Sequence, residues 1–565
     1  MTQQSPTHTR WTEILESKII PAFPKPWADH GADEHFEDYL KSVVHQLDGL
    51  KHNSNDGNVY LGKPDIWITD EASLKKTRAE AELPSAGQSA ETVTKGLVNF
   101  FNGMLDWGHP KMGMNIVPPS TMLSIAAHLM SAMFSPNLIE EEYSANVAAA
   151  EIETVAMCAR LSGYDPMVAN GIFTFGGLGT WLYALKIGLT KALGKDSREK
   201  GIRQNAQILT SEASHFSKVI TADWSGLGTD NIQEIRLNRD NSMDLESLRE
   251  TLDACHRQGL PIGLINCTMG TTDAFGVDDL AAVADIVDDF VARNHLTYRP
   301  HLHADAVIGW AWMAFRHYDF QANPLGFDTQ LKSDLEHVAQ KFESIHRADS
   351  IGFDFHKTGY TPYVSSMILF KNGGDFNLIK RPAGAESYLF HFGAYNPGEY
   401  SLESSRSAAG ALAAWANLKY FGLEGFQVML ARLVKMERLL RSFIDEHPEM
   451  VVVNTEDHGF VTLYRVYPAG CDAKQAFEAE FSGQADEQLV EHNTYLYKVS
   501  TEINRRQREE RGPFLSFTSN HRTNANGVPI AALKVFPTTP FADEDGMKAV
   551  ARSITESKKS VDDAS

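Results

Sequence analysis

The chain has few cysteines and a shortage of positive charge. Of its 565 residues only four are cysteine, Cys158, Cys255, Cys267 and Cys471, and no two of them form a CxxC pair. This scarcity argues against a disulfide framework and is typical of a reducing cytoplasm. The formal net charge is −21, from 52 basic and 73 acidic residues. Because such a charge repels nucleic acid and anionic membranes, we expect neither as a partner.

Long apolar runs are also missing. The longest apolar segment, 122–134, is too short to span a bilayer. The first residues lack a basic region followed by an apolar stretch, so no signal peptide is expected. With 43% hydrophobic and 22% charged residues, the sequence predicts a globular, cytoplasmic protein of two or three domains.

Short apolar runs alternate with helical patterns in the middle of the chain. The runs lie at 171–175, 206–210, 262–266, 301–305, 350–354 and 366–370. Strands that alternate with helices predict βα units and a mainly parallel sheet, in which polar residues at strand ends face the ligand crevice. We expect an N-terminal arm at 1–110, a large domain at 111–400 and a smaller C-terminal αβ domain at 401–565.

His356 and Lys357 follow one of these predicted strands and precede a turn rich in glycine, proline and tyrosine. An enzyme that uses pyridoxal phosphate (PLP) places its Schiff-base amine in such a position. Taken singly, Lys357 would be read as a solvated surface lysine. Its interpretation therefore depends on the groups that accompany it.

Other predicted strand ends carry groups suited to the same cofactor. The turn at 175–180, Phe-Gly-Gly-Leu-Gly-Thr, leads into a helix whose free amides would meet a phosphate, although a plain tight turn is the alternative. His215 could stack on a planar ring and shuttle a proton, or be a structural histidine. Asp305 could pair with a protonated pyridine nitrogen, cap a helix or bind a metal. The turn at 268–272 supplies hydroxyls near the ring or is only a capping turn.

The order of these motifs resembles the group II PLP-dependent amino acid decarboxylases. The likeness is nearest to the bacterial tyrosine decarboxylase type. It rests on Trp107-Gly-His109, on the 52 residues that separate Asp305 from Lys357, and on His356-Lys-x-Gly-Tyr-x-Pro-Tyr363. The segment 392–406 also fits that subtype.

The resemblance implies the aspartate aminotransferase-like fold (fold type I), with a mainly parallel seven-stranded sheet. It implies a homodimer with the active site near the subunit interface, for which 122–134 is a candidate. The implied reaction converts an L-amino acid, most closely an aromatic, tyrosine-like one, to its amine and carbon dioxide. Glutamate or aspartate as substrate, and decarboxylation-dependent oxidative deamination, use the same residues and stay open.

The resemblance also assigns roles to single residues. Lys357 is the Schiff-base lysine, Asp305 the partner of the pyridine nitrogen, and His215 the residue stacked on the ring and a second candidate proton donor. Tyr363 is the favoured proton donor and Tyr388 its alternative. The further cofactor-binding residues that it implies are His356, Gly177, Leu178, Gly179, Thr180, Thr272 and Val307, and the substrate-binding residues are His109 and Asn115.

Two positions depart from the family pattern. Leu178 stands where the family commonly has threonine or serine, and Val307 stands where it often has a small residue. A separate interpretation, a metal-dependent hydrolase, rests on a possible ligand cluster of His301, His303, Asp305 and His356. It leaves Lys357 without a role, so we expect no metal.

Overall fold

The fold is taken from a computed structural model that describes residues 10–25, 33–51, 58–63, 70–382, 389–510 and 512–564. The chain divides into two compact units, Met1–Asp106 and Trp107–Ser565. In the first unit the described α-helices are α1 (Arg10–Ile14), α2 (Glu34–Asp48), α3 (Glu71–Glu80) and α4 (Ala90–Asn99). The side chains of Asp33, Asp70 and Ser89 cap the last three by accepting backbone N–H groups.

The second unit contains two sheets and the remaining described helices. Its strands are β1 (Met112–Gly113), β2 (Asn170–Thr174), β3 (Gln207–Ser211), β4 (Ile232–Ile235), β5 (Ile262–Thr268), β6 (His301–Asp305), β7 (Ser350–Asp354), β8 (Ser366–Phe370), β9 (Met450–Val452), β10 (Thr462–Val466), β11 (Phe514–Thr523) and β12 (Pro529–Val535). Its helices are α5 (Met122–Phe134), α6 (Glu141–Ser144), α7 (Ala148–Ser162), α8 (Gly177–Leu193), α9 (Asp196–Glu199), α10 (Ser217–Trp224), α11 (Leu245–Arg257), α12 (Leu280–Arg293), α13 (Thr329–Lys341), α14 (Ala409–Asp445), α15 (Ala473–Phe481), α16 (Asp486–Glu510) and α17 (Glu544–Asp563).

The larger sheet has seven strands in the order β2-β8-β7-β6-β5-β3-β4. Strands β3 to β7 pair in parallel, and β8 runs antiparallel to both of its neighbours. The predicted seven-stranded, mainly parallel sheet is therefore confirmed. The six predicted runs form β2, β3, β5, β6, β7 and β8, and their apolar character follows from burial on both faces. The edge strand β4 was not predicted, because it is half-exposed and contains Gln233 and Glu234, so it forms no apolar run.

Helix α8 connects the sheet to the site. It begins directly after β2, and its buried side chains, among them Trp181, Ala184 and Leu185, pack with Ile208 and Leu264 of the central strands. The helix therefore starts at the edge of the sheet where the parallel strands end. This arrangement fixes the position of its first turn relative to those strand ends.

The smaller sheet has the order β1-β11-β12-β10-β9. Strand β1 pairs in parallel with β11, with Met112 opposite Phe514, while the other pairs are antiparallel. The segment after Trp107 is thereby held against a strand some four hundred residues later in the chain. The predicted domain boundary near residue 400 stays a prediction. No helix of the described residues is long and apolar enough to cross a membrane.

Candidate active site

The ends of the central parallel strands lie side by side. Register pairs Thr268 of β5 with Asp305 of β6, and Asp305 with Gly352 of β7. His215 follows the end of β3, which pairs with β5. The sheet therefore brings His215, Asp305 and the turn that carries Lys357 to one edge.

Asp305 is buried and its carboxylate is hydrogen-bonded. Only 3% of the residue is exposed, and its Oδ2 accepts a hydrogen bond of 2.8 Å from the indole Nε1 of Trp181 on α8. The backbone N–H of Val307 lies 3.5 Å from Oδ1. Because a buried carboxylate is costly unless donors surround it, these contacts stabilise the side chain in its buried position and fix its orientation. Sequence reasoning missed Trp181, although a buried indole N–H generally requires an acceptor.

Lys357 forms an ion pair with a buried aspartate. Its Nζ lies 3.0 Å from Oδ2 of Asp354, the last residue of β7, and the other carboxylate oxygen accepts a 2.6 Å hydrogen bond from Ser366. Burial raises the pKa of Asp354, but the attraction of nearby Lys357, the larger of the charge effects, holds that pKa below its usual value. Asp354 was not assigned a role from the sequence, despite its place three residues before the lysine.

The two histidines beside Lys357, the half-buried His215 and the buried His356, have lowered pKa values. Burial and the charge of Lys357 lower the pKa of His215 to about 4, so its ring is neutral at pH 7. Its Nδ1 accepts from the backbone N–H of Ser217 at 3.2 Å. Burial likewise lowers the pKa of His356, whose Nε2 lies 3.5 Å from Asp354.

Tyr363 lies against the ring of His356. The two ring centroids are 4.1 Å apart, and 54% of Tyr363 is exposed. Burial of the rest of the ring and the negative charge of Asp354 raise the pKa of Tyr363 to about 12. Its hydroxyl is therefore protonated at neutral pH and able to donate. The alternative donor, Tyr388, lies outside the described residues.

The glycine-rich turn approaches the end of β7 closely. A side chain placed on Gly177, the first residue of α8, would have its Cβ 3.1 Å from Asp354 Oδ2 and 3.4 Å from Val307 Cγ1. A Cβ on Gly179 would overlap the hydroxyl of Thr174. Glycine is therefore required for this packing. The backbone N–H of Gly179 already donates to the carbonyl of Gly176 at 2.8 Å, so the N-terminal end of α8 would attract an anion through its other amides and its dipole.

Two other predicted groups of the turns have local partners. The hydroxyl of Thr180 donates to the carbonyl of Gly177 at 2.7 Å. Thr272 is half-buried and precedes Asp273, whose carboxylate forms an ion pair with Lys534 of β12 and accepts a 3.2 Å hydrogen bond from Thr518 of β11. The pair of Asp273 and Lys534 was missed because Lys534 comes from the second sheet.

The predicted substrate residues lie next to the smaller sheet. The backbone N–H of Asn115 donates to Ser516 Oγ of β11 at 3.0 Å, and its side-chain Oδ1 is buried without a hydrogen-bond partner. His109 is buried, and its Nδ1 accepts from the backbone N–H of Lys111 at 3.1 Å.

The two histidines of β6 contact the hydroxyl of a neighbouring serine. His301 Nε2 and His303 Nδ1 each lie 2.8 Å from Ser350 Oγ, while Asp305 is held by Trp181. Across the described ranges, no group of three or more histidine, cysteine, aspartate or glutamate side chains is arranged to hold a metal ion.

The chain belongs to a family of PLP enzymes. Residues 74–465 match the family model described as the pyridoxal-dependent decarboxylase conserved domain. The matched residues make up more than half of the chain. The predicted membership in the group II PLP decarboxylases is thus confirmed. The protein is a PLP-dependent amino acid decarboxylase, a carbon–carbon lyase.

Known proteins similar to this chain differ in the substrates that their names state. An acidic amino acid decarboxylase of Xenopus tropicalis is 23% identical over 74% of this chain and 76% of its own length. An L-tyrosine decarboxylase of Enterococcus faecium is 26% identical over 44% of this chain and 42% of its own length. The crystal structure of mouse CSAD has a TM-score of 0.74 at 18% identity and covers 94% of this chain and 99% of that one. The structural likeness supports fold type I.

Proposed function

We propose that this site decarboxylates an aromatic, tyrosine-like L-amino acid to the corresponding amine and carbon dioxide, with PLP bound through Lys357. The proposal for the cofactor rests on three features of the strand ends. They are a lysine amine after β7, a buried, hydrogen-bonded carboxylate on β6, and the N-terminal end of α8, which begins at Gly177. These match the aldehyde, the pyridine nitrogen and the phosphate of PLP.

PLP supplies an electron sink for the pair of electrons left on Cα when carbon dioxide departs. Asp305, oriented by the hydrogen bond from Trp181, would accept a hydrogen bond from the protonated pyridine nitrogen. His215 is neutral and stacks on the ring without adding a charge that would compete with that proton. Tyr363 donates a proton to Cα, for which its raised pKa keeps the hydroxyl protonated.

The choice of an aromatic substrate is supported by Asn115. Its buried side-chain oxygen is an acceptor without a donor, and a phenolic hydroxyl would supply one. An ionised glutamate or aspartate side chain carries only acceptors and would leave this oxygen unpaired. The lysine on this side of the site, Lys534, is already neutralised by Asp273. Both features favour an uncharged side chain with a hydrogen-bond donor.

We also infer a cytoplasmic homodimer with its active site near the subunit interface. Helix α5 exposes Met122, Met130 and Phe134, each of which is at least 60% exposed. Exposed apolar side chains grouped on one helix are typical of an association surface. All four cysteines are free, as expected of a reducing compartment. Light scattering of the purified protein tests the dimer, and a monomeric mass would contradict it.

The cofactor assignment is tested by reduction with borohydride. We expect purified protein to absorb visible light, to lose that band on reduction and to carry the reduced cofactor on Lys357 in a peptide map. Lys357→Ala should lose both the band and the label, whereas Lys371→Ala, at an exposed lysine after β8, should keep them. Label on another lysine would refute the assignment of Lys357.

The substrate assignment is tested by a screen of the proteinogenic amino acids for carbon dioxide and amine. We expect tyrosine or another aromatic amino acid to give the highest kcat/KM and Asn115→Leu to reduce the preference for tyrosine over phenylalanine. Preferred turnover of glutamate or aspartate would contradict the proposal. An aldehyde and ammonia in place of the amine would indicate oxidative deamination.

A further inference from the structure

Asp354 lies against the first turn of α8, which the proposed function assigns to the phosphate of the cofactor. Its Oδ2 and Oδ1 are 3.1 and 3.4 Å from the position of a Cβ on Gly177, at the first turn of α8. The residue is 2% exposed. The positive end of a helix favours an anion there, and Asp354 is an anion that the chain itself already supplies.

The groups around Asp354 supply one positive charge, which compensates one negative charge. The charged and titratable groups that face it are Lys357 and His356 from its own turn, His215 from the turn after β3, and Tyr363. The lowered pKa values of His215 and His356 and the raised pKa of Tyr363 leave these three side chains uncharged at pH 7, so the ion pair of Asp354 is with Lys357. One ammonium and one carboxylate thus compensate each other in a buried space. A phosphate dianion added to it would be in excess.

We propose that Asp354 and the phosphate of the bound cofactor share one proton, which is taken up from solvent when the cofactor binds. Two anions held together in a buried site cannot both remain fully ionised, and the proton then belongs to the pair. No covalent bond is made or broken in this step. The inference rests on the proposed function, because it takes the start of α8 as the phosphate site. Asp354 is accordingly a positioning residue that makes cofactor affinity depend on pH.

The test uses 4-deoxypyridoxine 5′-phosphate, which carries the ring and phosphate but lacks the aldehyde. Lys357 therefore stays an amine, and no proton from Schiff-base formation enters the count. Full-length protein freed of cofactor is titrated by calorimetry in buffers of different ionisation enthalpy, which gives the number of protons taken up. The wild type is compared with Asp354→Asn and with Asp328→Asn, which makes the same charge change at the exposed N-cap of α13.

We expect the wild type and Asp328→Asn to take up about one proton more than Asp354→Asn near pH 7.5. Between pH 7 and 8.5 their affinity should fall relative to that of Asp354→Asn by about tenfold per pH unit, the linkage of one proton. Equal proton uptake and parallel pH profiles in wild type and Asp354→Asn would overturn the inference.

A variant that does not fold leaves the test intact. In that case the proton uptake of the wild type alone is the test. Part of that uptake comes from the ionisable groups of the probe itself, and its size follows from their pKa values in solution. A total uptake no larger than this part would overturn the inference. Failure of the proposed function has a different signature. That signature is the absence of reduced cofactor on Lys357. If reduced cofactor is found on Lys357 and the probe binds without proton uptake, only the role of Asp354 is refuted.

Discussion

Replacing Trp181 with phenylalanine tests the hydrogen bond that orients Asp305 in the site. The substitution preserves a buried aromatic ring and removes the 2.8 Å hydrogen bond to Oδ2, which leaves only the 3.5 Å contact with the N–H of Val307. A hydrogen bond to a charged group contributes about 1.5–3 kcal/mol. The proposed function pairs Asp305 with the pyridine nitrogen of the cofactor, so a loss of its orientation should weaken that contact. At about 1.4 kcal/mol per factor of ten, kcat/KM should fall by about tenfold to a hundredfold.

The control is Trp312→Phe. Trp312 is also fully buried, but its Nε1 has no hydrogen-bond partner, so the change removes the same volume without a bond to a carboxylate. Release of carbon dioxide from the preferred substrate gives kcat/KM, and the visible absorption of the protein reports the protonation state of the bound cofactor. If both variants lose activity within a factor of two of each other, the hydrogen bond to Asp305 does not support catalysis.

Three further substitutions test other features. Glu151→Gln removes the counter-ion of the buried guanidinium of Arg406, which lies 2.7 Å from the Glu151 carboxylate. The free energy of unfolding, measured by urea titration, should fall by about 3–5 kcal/mol. A loss no larger than that of Glu544→Gln, at an exposed position, would contradict this. Burial lowers the pKa of His303 to about 4, so between about pH 6.5 and 4 the unfolded chain binds a proton that the folded chain does not. Stability therefore falls as the pH drops, and His303→Gln should reduce that slope by up to about 1.4 kcal/mol per pH unit; an unchanged slope would refute it. Tyr363→Phe should keep the cofactor absorption and lower kcat by about 100-fold or more, and unchanged turnover would remove Tyr363 as the proton donor.

The large sheet could be predicted because its central strands are buried on both faces. Each of the six predicted strands is an uninterrupted, buried run, so the sequence pattern and the burial coincide. Strand β11 gave a weaker signal, since Ser516, Thr518, Asn520 and Arg522 alternate with its other residues. One-sided strands of this kind resemble polar loops when they are read one residue at a time. The smaller sheet was therefore only partly predicted.

Site residues that directly follow strands could be predicted from the sequence. Their partners from distant parts of the chain could not. Asp305 and Lys357 each stand at a strand end, which in a parallel sheet is enough to place them together. Their partners are set by tertiary packing. Trp181 lies 124 residues from Asp305, and Lys534 lies 261 residues from Asp273. No local pattern in the sequence reports such pairs.

The two buried aspartates at the ends of β6 and β7 differ in their partners. Asp305 is held by uncharged N–H donors of Trp181 and Val307, which belong to the protein backbone and core. Asp354 forms an ion pair with Lys357, the amine that the proposed function assigns to the cofactor. In the proposed function the partners of Asp305 therefore stay the same when the cofactor binds, whereas those of Asp354 change. The protonation of Asp354 is accordingly the one that we expect to follow occupancy of the site.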